Sequence, residues 1–220
     1  MNEHPILFSG EMVRAILDGK KIQTRRVEGK LKYINLDPSA WYDVHQIATT
    51  ARWSFRHNGT GSLPKSTIVM NCAYGMPGDC LYVKEGYKIA GDNVGDRLVC
   101  GVYLADNVEF SVALTPSEWA RYSVRKFPHR ATPGRFMYRS LARITLKVLD
   151  VKVERVRDIS EGDAEKEGLL PCGSFALGAD LELTAYERFL RLWDKINARR
   201  GYSWELNPWV WVIEFENVAL

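Results

Sequence analysis

Ala142-Arg143-Ile144-Thr145-Leu146-Lys147-Val148-Leu149-Asp150-Val151-Lys152-Val153 is the stretch on which the fold turns. Ile144, Leu146 and Val148 share one parity, and Val151 and Val153 share the other. Alternation of this kind marks a strand with one buried face. The phase change at Leu149-Asp150 predicts a bulge or sharp bend, the device by which a small barrel turns a corner. The strand is expected to run over 142–157.

Downstream, Ser160 precedes Glu161 and Asp163, and Gly168 follows, which predicts a short capped helix. Thr184 and Glu187 form a capping box for a helix over 185–199, with Tyr186, Phe189, Leu190, Trp193 and Ile196 on its apolar face. Trp209-Val210-Trp211-Val212-Ile213-Glu214-Phe215 reads as a buried closing strand. Upstream, Cys80–Lys84 reads as a strand ending at Glu85, and residues 97–113 as a hairpin turning at Asp106-Asn107. The polar, basic segment 114–138 is expected to be a long loop with one helical turn at 116–121. Residues 28–70 are expected to be an insertion or an irregular surface excursion rather than a second core. At the N-terminus a strand at 5–9, a helix at 10–18 and a strand at 24–27 complete an α+β chain with a small barrel.

The 220 residues are 46% hydrophobic and 11% aromatic, values of a globular chain rather than a disordered one. A formal charge of +3 permits a nucleic-acid or nucleotide partner without demanding one. Basic residues cluster at 20–26, 121–143 and 188–200. No apolar run approaches the ~20 residues of a membrane span, and the opening residues lack a signal-peptide layout. Cys72, Cys80, Cys100 and Cys172, with His4, His45, His57 and His129, show no metal-ligand spacing. Reduced thiols, a cytoplasmic setting and no metal or cofactor are therefore expected.

Gly19-Lys20-Lys21-Ile22-Gln23-Thr24-Arg25-Arg26 is the densest chemical cluster. Crowded cations ease formation of a neutral amine at one lysine, and a neutral lysine beside a threonine hydroxyl is a base and nucleophile pair. Lys21 and Thr24 are three apart and would face opposite ways in a regular strand, so they converge only if Lys21 lies in the turn before it. The alternative is a solvated basic patch after a helix. Glu167 falls in the last turn of its short helix, where the dipole disfavours a charged carboxylate and suits proton transfer. The alternative there is an exposed helix residue. Glu85 is either a buried partner for a cation of the 20–26 segment or a surface carboxylate. Arg139 and Arg143 are either phosphate contacts or solvated strand residues, and Trp209 and Trp211 core residues before base-stacking ones.

Four stretches together carry a resemblance. Pro5–Ser9 with Ala15–Arg26, then Pro77–Glu85, then Asp158–Ser160 through Glu167-Gly168, and finally Asn207–Phe215 resemble, in order, the ASCH-domain family, particularly its phage and prophage members. The resemblance implies a single PUA-like domain over 1–220, a small β-barrel with flanking helices, and insertions at about 28–70 and 86–136. Small members of the family are N(4)-acetylcytidine amidohydrolases that use a lysine, a threonine and a glutamate without metal. The matching positions are Lys21, Thr24 and Glu167. The expected chemistry has Lys21 take the proton of Thr24, Thr24 attack the amide carbonyl, and Glu167 protonate the leaving amine, with Arg26 at the oxyanion. Glu85 would pair with Lys21 or hold the base. The partner implied is a modified cytidine nucleoside or RNA, with no membrane and no obligate protein partner. The alternative class is a non-catalytic RNA- or nucleotide-binding module using the 20–26 and 121–143 segments on phosphates. A ribonuclease is disfavoured because no histidine pair lies near the cluster.

Overall fold

The computed structural model describes residues 1–27, 29–47, 52–59, 66–125, 130–169 and 183–218. His129, Cys172 and part of the basic 121–143 segment lie outside them. In chain order the elements are β1 (Glu3–Leu7), α1 (Gly10–Leu17), β2 (Gln23–Arg26), α2 (Leu31–Ile34), β3 (Trp41–Gln46), β4 (Arg52–His57), β5 (Ser66–Asn71) and β6 (Cys80–Lys84). Then come β7 (Tyr87–Asn93), β8 (Leu98–Tyr103), β9 (Glu109–Ala113), α3 (Pro116–Arg125), β10 (Ala131–Thr132), β11 (Thr145–Arg155), α4 (Glu161–Lys166), α5 (Ala185–Asn197) and β12 (Trp209–Val218). The chain is α+β, with more sheet than helix. No helix among the described residues is long and apolar enough to cross a membrane.

The chain divides into two compact units, one of residues 1–19, 80–147 and 217–220, the other of residues 20–79 and 148–216. In the first, β1 runs parallel to β6, and Thr145–Lys147 at the start of β11 pair antiparallel with β6. Ser9 caps α1 by accepting from Met12 N, and Gly19 ends it with φ +70, a conformation open to a residue without Cβ. A second sheet has the order β10-β7-β8-β9. Tyr87, Ile89, Val99, Tyr103 and Phe110 from that sheet, with Tyr122 of α3, Met137 and Leu141, form its core.

The helix α3 covers ten residues, not the single turn expected within a long loop. Thr115 and Glu118 form a capping box, each side chain bonded to the other's backbone N–H, and Pro116 follows the cap, where a missing N–H costs nothing. Glu118 also accepts from the N–H and Oγ of Ser140, which ties α3 to the 139–141 turn.

In the second unit the remainder of β11, β12 and β2 lie side by side. β11 shows the expected phase change: Val148 and Val151 are buried, whereas Leu149 and Asp150 are both exposed. On one face, Val210 and Val212 pack with Val27, Ala164 of α4, and Phe189 and Trp193 of α5. Residues 28–70 are not an irregular excursion, because β3-β4-β5 form an antiparallel sheet within them. Trp53 and Phe55 of that sheet meet Trp211 and Trp209 edge-on, at 6.3 and 6.1 Å between centroids. Asn35 holds α2 to β12 by exchanging two hydrogen bonds with the Trp209 backbone (2.8 and 2.7 Å). Trp211 is a core residue, 1% exposed, whereas Trp209 is only partly buried, with Arg155 lying over its ring. The closed barrel is not formed among the described residues. β2 ends its ladder, and residues following α4 meet its outer edge where another strand would be needed.

Candidate active site

Lys21 is already extended when the chain enters β2. It forms an antiparallel bridge with Glu167, and the Ile22 N–H donates to Lys166 O at 2.9 Å. The Lys21 side chain is 1% exposed. Its Nζ donates to Gln23 O (2.9 Å), Glu167 O (2.9 Å) and Glu167 Oε2 (2.5 Å). Burial pushes the Lys21 ammonium below its ordinary pKa. Glu167 works against that shift, and the charges of Arg26 and Arg25 add to it.

Glu167 is the residue on which α4 ends. Ser160 Oγ caps the start of α4 through Asp163 N (3.1 Å), and Gly168 leaves the helix at φ +89. Glu161 sends its carboxylate to the N–H groups of Ala185 and Tyr186 (2.6 and 3.1 Å), so an anion sits on the positive end of α5. These contacts fix where α4, and hence Glu167, lies. Oε2 is taken by Lys21, but Oε1 is buried with no hydrogen-bond partner among the described residues, with Arg25 Nη1 3.5 Å away.

Residues the sequence reading passed over surround the pair. Arg25 donates to Glu154 Oε1 through Nε (3.0 Å) and Nη2 (2.5 Å), to Gln23 Oε1 (2.6 Å), and lies 3.5 Å from Asp163. Its guanidinium also stacks over Phe189, 5.7 Å from the ring centroid. Gln23 Nε2 donates to Glu214 Oε1 at 2.8 Å. Strand parity was the available signal: Gln23 and Arg25 share a face of β2, and Glu214 is the cross-strand partner of Gln23.

Thr24 alternates to the other face of β2, opposite Ile213, and is 3% exposed. No hydrogen bond among the described residues joins it to Lys21 or Glu167. The expected convergence required Lys21 in a turn, whereas its backbone is already paired and extended. Arg26 shares the face of Thr24, opposite Trp211, and is half-buried.

Glu85 belongs to the other unit. Its carboxylate, expected either to meet a cation of the 20–26 segment or to lie on the surface, is buried and held by Arg143 (2.8 and 3.1 Å). Arg143 grips Asp106 as well (2.8 and 3.0 Å) and stacks 4.1 Å over Tyr103. It is thus an internal clasp and not a phosphate contact. Arg139 pairs with Glu3 through two hydrogen bonds of 3.0 and 2.7 Å. Cys72, Cys80 and Cys100 are free thiols, and burial pushes Cys72 up to about 12. Among the described residues no group of three His, Cys, Asp or Glu is placed to hold a metal ion.

The chain matches no known family model, no curated protein and no solved structure in the comparisons made.

Proposed function

We propose that the protein hydrolyses an amide on the exocyclic amine of a modified nucleoside, of which N(4)-acetylcytidine is the model substrate. One observation carries this reading: a desolvated lysine shares a buried carboxylate whose second oxygen has no hydrogen-bond partner among the described residues. Buried acceptors are normally satisfied, so such an oxygen suits a donor brought by a ligand. Lys21 as the free amine takes a proton from the nucleophile, and the Glu167 carboxyl returns one to the departing amine. Thr24 supplies the attacking hydroxyl and becomes an ester of the acyl group, and Arg26 on the same face of β2 stabilises the oxyanion. Water then attacks the ester, giving its proton to the Glu167 carboxylate, and the Lys21 ammonium returns a proton to Thr24 as the carboxylic acid leaves. Thr24 and Lys21 lie on opposite faces of β2, so the reading requires the chain to leave its extended pairing at Lys21-Ile22 when substrate binds, which would let the hydroxyl reach Nζ. A PUA-like scaffold is part of this proposal.

The opposite facing of Thr24 favours a second reading. In it the protein is non-catalytic, and Lys21, Arg25, Glu154, Asp163 and Glu167 form an ion network that fastens α4 to the sheet. Hydrolysis of N(4)-acetylcytidine by the full chain, beside Thr24→Ala and Glu167→Gln, separates the two. Turnover that both substitutions abolish, with folding intact in Thr24→Ala, supports the hydrolase. No turnover by the wild type overturns it.

A further inference from the structure

The first unit holds a cleft of about 680 Å³ between β6, α3 and the 134–139 segment. Strand alternation builds one wall, since Leu81 and Val83 are buried while Tyr82 and Lys84 face the cleft. Arg121 enters from α3, and Arg135, Phe136 and Arg139 from the opposite side. Each guanidinium lies over a ring: Arg139 over Tyr82 (5.0 Å), Arg121 over Tyr138 (5.9 Å) and Arg135 over Phe136 (4.7 Å).

The charge is one-sided. The one carboxylate in the lining among the described residues, Glu118, is consumed by Thr115 and Ser140. Arg139 is held by Glu3, but no carboxylate among the described residues pairs with Arg121 or Arg135. Phe136 is 42% exposed, so part of its ring faces solvent in the cleft. An acidic peptide would use the cations and leave the rings idle, whereas an apolar ligand would strand the cations. A nucleotide uses both, with phosphate on guanidinium and base on ring.

We infer that this cleft binds a nucleotide, free or within a single strand, with its phosphate on Arg121 and Arg135 and its base stacked on Phe136. The inference does not depend on the reading at Lys21.

The test is fluorescence anisotropy of a labelled oligouridylate with the full chain, across a salt series. Arg121→Ala, Arg135→Ala and Phe136→Ala are compared with Arg199→Ala, an exposed cation of the other unit, after equal thermal transitions show that all four fold. The expected salt slope is about −0.7 per phosphate contacted, so each cleft arginine removed flattens it by roughly that amount. Phe136→Ala should weaken binding on the order of tenfold without changing the slope. Arg199→Ala should change neither. Uridine monophosphate that displaces the oligomer assigns the site to free nucleotides, and failure to displace assigns it to the polymer. The inference is overturned if wild type does not bind, if both arginine variants bind like wild type, or if Phe136→Ala has no effect. Polyglutamate competing as well as unlabelled oligouridylate would also overturn it, in favour of an acidic protein.

Discussion

Lys21 Nζ stands 2.5 Å from Glu167 Oε2, and the two backbones are bridged as well, so the ion pair sits at a junction the main chain has already made. Removing one partner leaves the other charged and buried. Lys21→Met should therefore cost ~3–5 kcal/mol in urea unfolding. Lys21→Arg keeps a permanent charge and cannot act as a base. It should retain most of the stability and lose all hydrolysis, and loss of both together would point to the structural reading alone.

The same lysine sets a pH dependence. Its free amine is the active form, and burial holds its pKa below the ordinary 10.5. Turnover should rise with pH through a midpoint under 10.5 as Lys21 gives up its proton. For stability, the unfolded chain binds more protons than the folded one between that midpoint and 10.5, so the contribution of Lys21 to stability rises with pH across the window. A pH–rate profile with its midpoint at or above the ordinary lysine value would remove Lys21 as the base.

Arg143 joins two carboxylates with one fork, and the Glu85 side chain beneath it is 1% exposed. Lysine offers a point charge in place of the planar fork. Arg143→Lys should therefore fail to rescue Arg143→Ala, which is expected to destabilise by ~3–5 kcal/mol because Glu85 is left buried and charged. Thermal unfolding of the two variants decides it.

Glu118 should make the protein acid-sensitive. Burial alone would raise its pKa, but hydrogen bonds from Ser140 and Thr115 outweigh burial and hold it below 4.5. The folded carboxyl thus releases its proton at lower pH than the unfolded one, and between the two values the unfolded chain binds more protons. The stabilisation is complete above the ordinary carboxylate range and is lost as pH falls through the folded value. Glu118→Gln should flatten that loss in acid unfolding curves, while Glu118→Ala should cost ~1–2 kcal/mol at neutral pH through the missing cap.

Gly101 allows no side chain. A Cβ there would meet Lys88 O at 2.0 Å, and the neighbouring strand shifts register between Ile89 and Gly91. Because the obstacle is backbone, Gly101→Ala must spread β7 from β8 and should cost ~1–3 kcal/mol. A denaturation midpoint equal to wild type would show that the sheet yields more easily.

Local signals in the sequence carried far where one rule governed the outcome. The caps at Ser160 and Thr184, the β11 phase change and the β8–β9 hairpin all follow from short-range chemistry. The capping box at Thr115 and Glu118 was equally legible, but the surrounding polarity disguised α3 as a loop. β4 was legible as well, since Arg52-Trp53-Ser54-Phe55-Arg56 alternates polar and apolar, but the prolines and glycine-rich turns around it disguised the segment as irregular. At the candidate site, residue types picked out Lys21 and Glu167, which the fold brings together across 146 positions. The family resemblance added Thr24, which a spacing of three from Lys21 already set on the opposite face of a regular strand. Arg25 and Glu154 drew no attention because a pair so distant along the chain leaves no local trace.

The bridge between Lys21 and Glu167 also bears on how the molecule behaves in a crowd. An outer strand normally offers a row of open amides and carbonyls to any passing chain, and is a common seed for aggregation. Along the approach to β2 the Ile22 amide is already engaged by Lys166 O, and the turn after α4 lies over that margin. Ile22 is 43% exposed and would otherwise be a sticky invitation beside it. The segment that positions a charged pair thus also works as a guard, so substitutions that loosen 166–168 should first appear as self-association at high concentration.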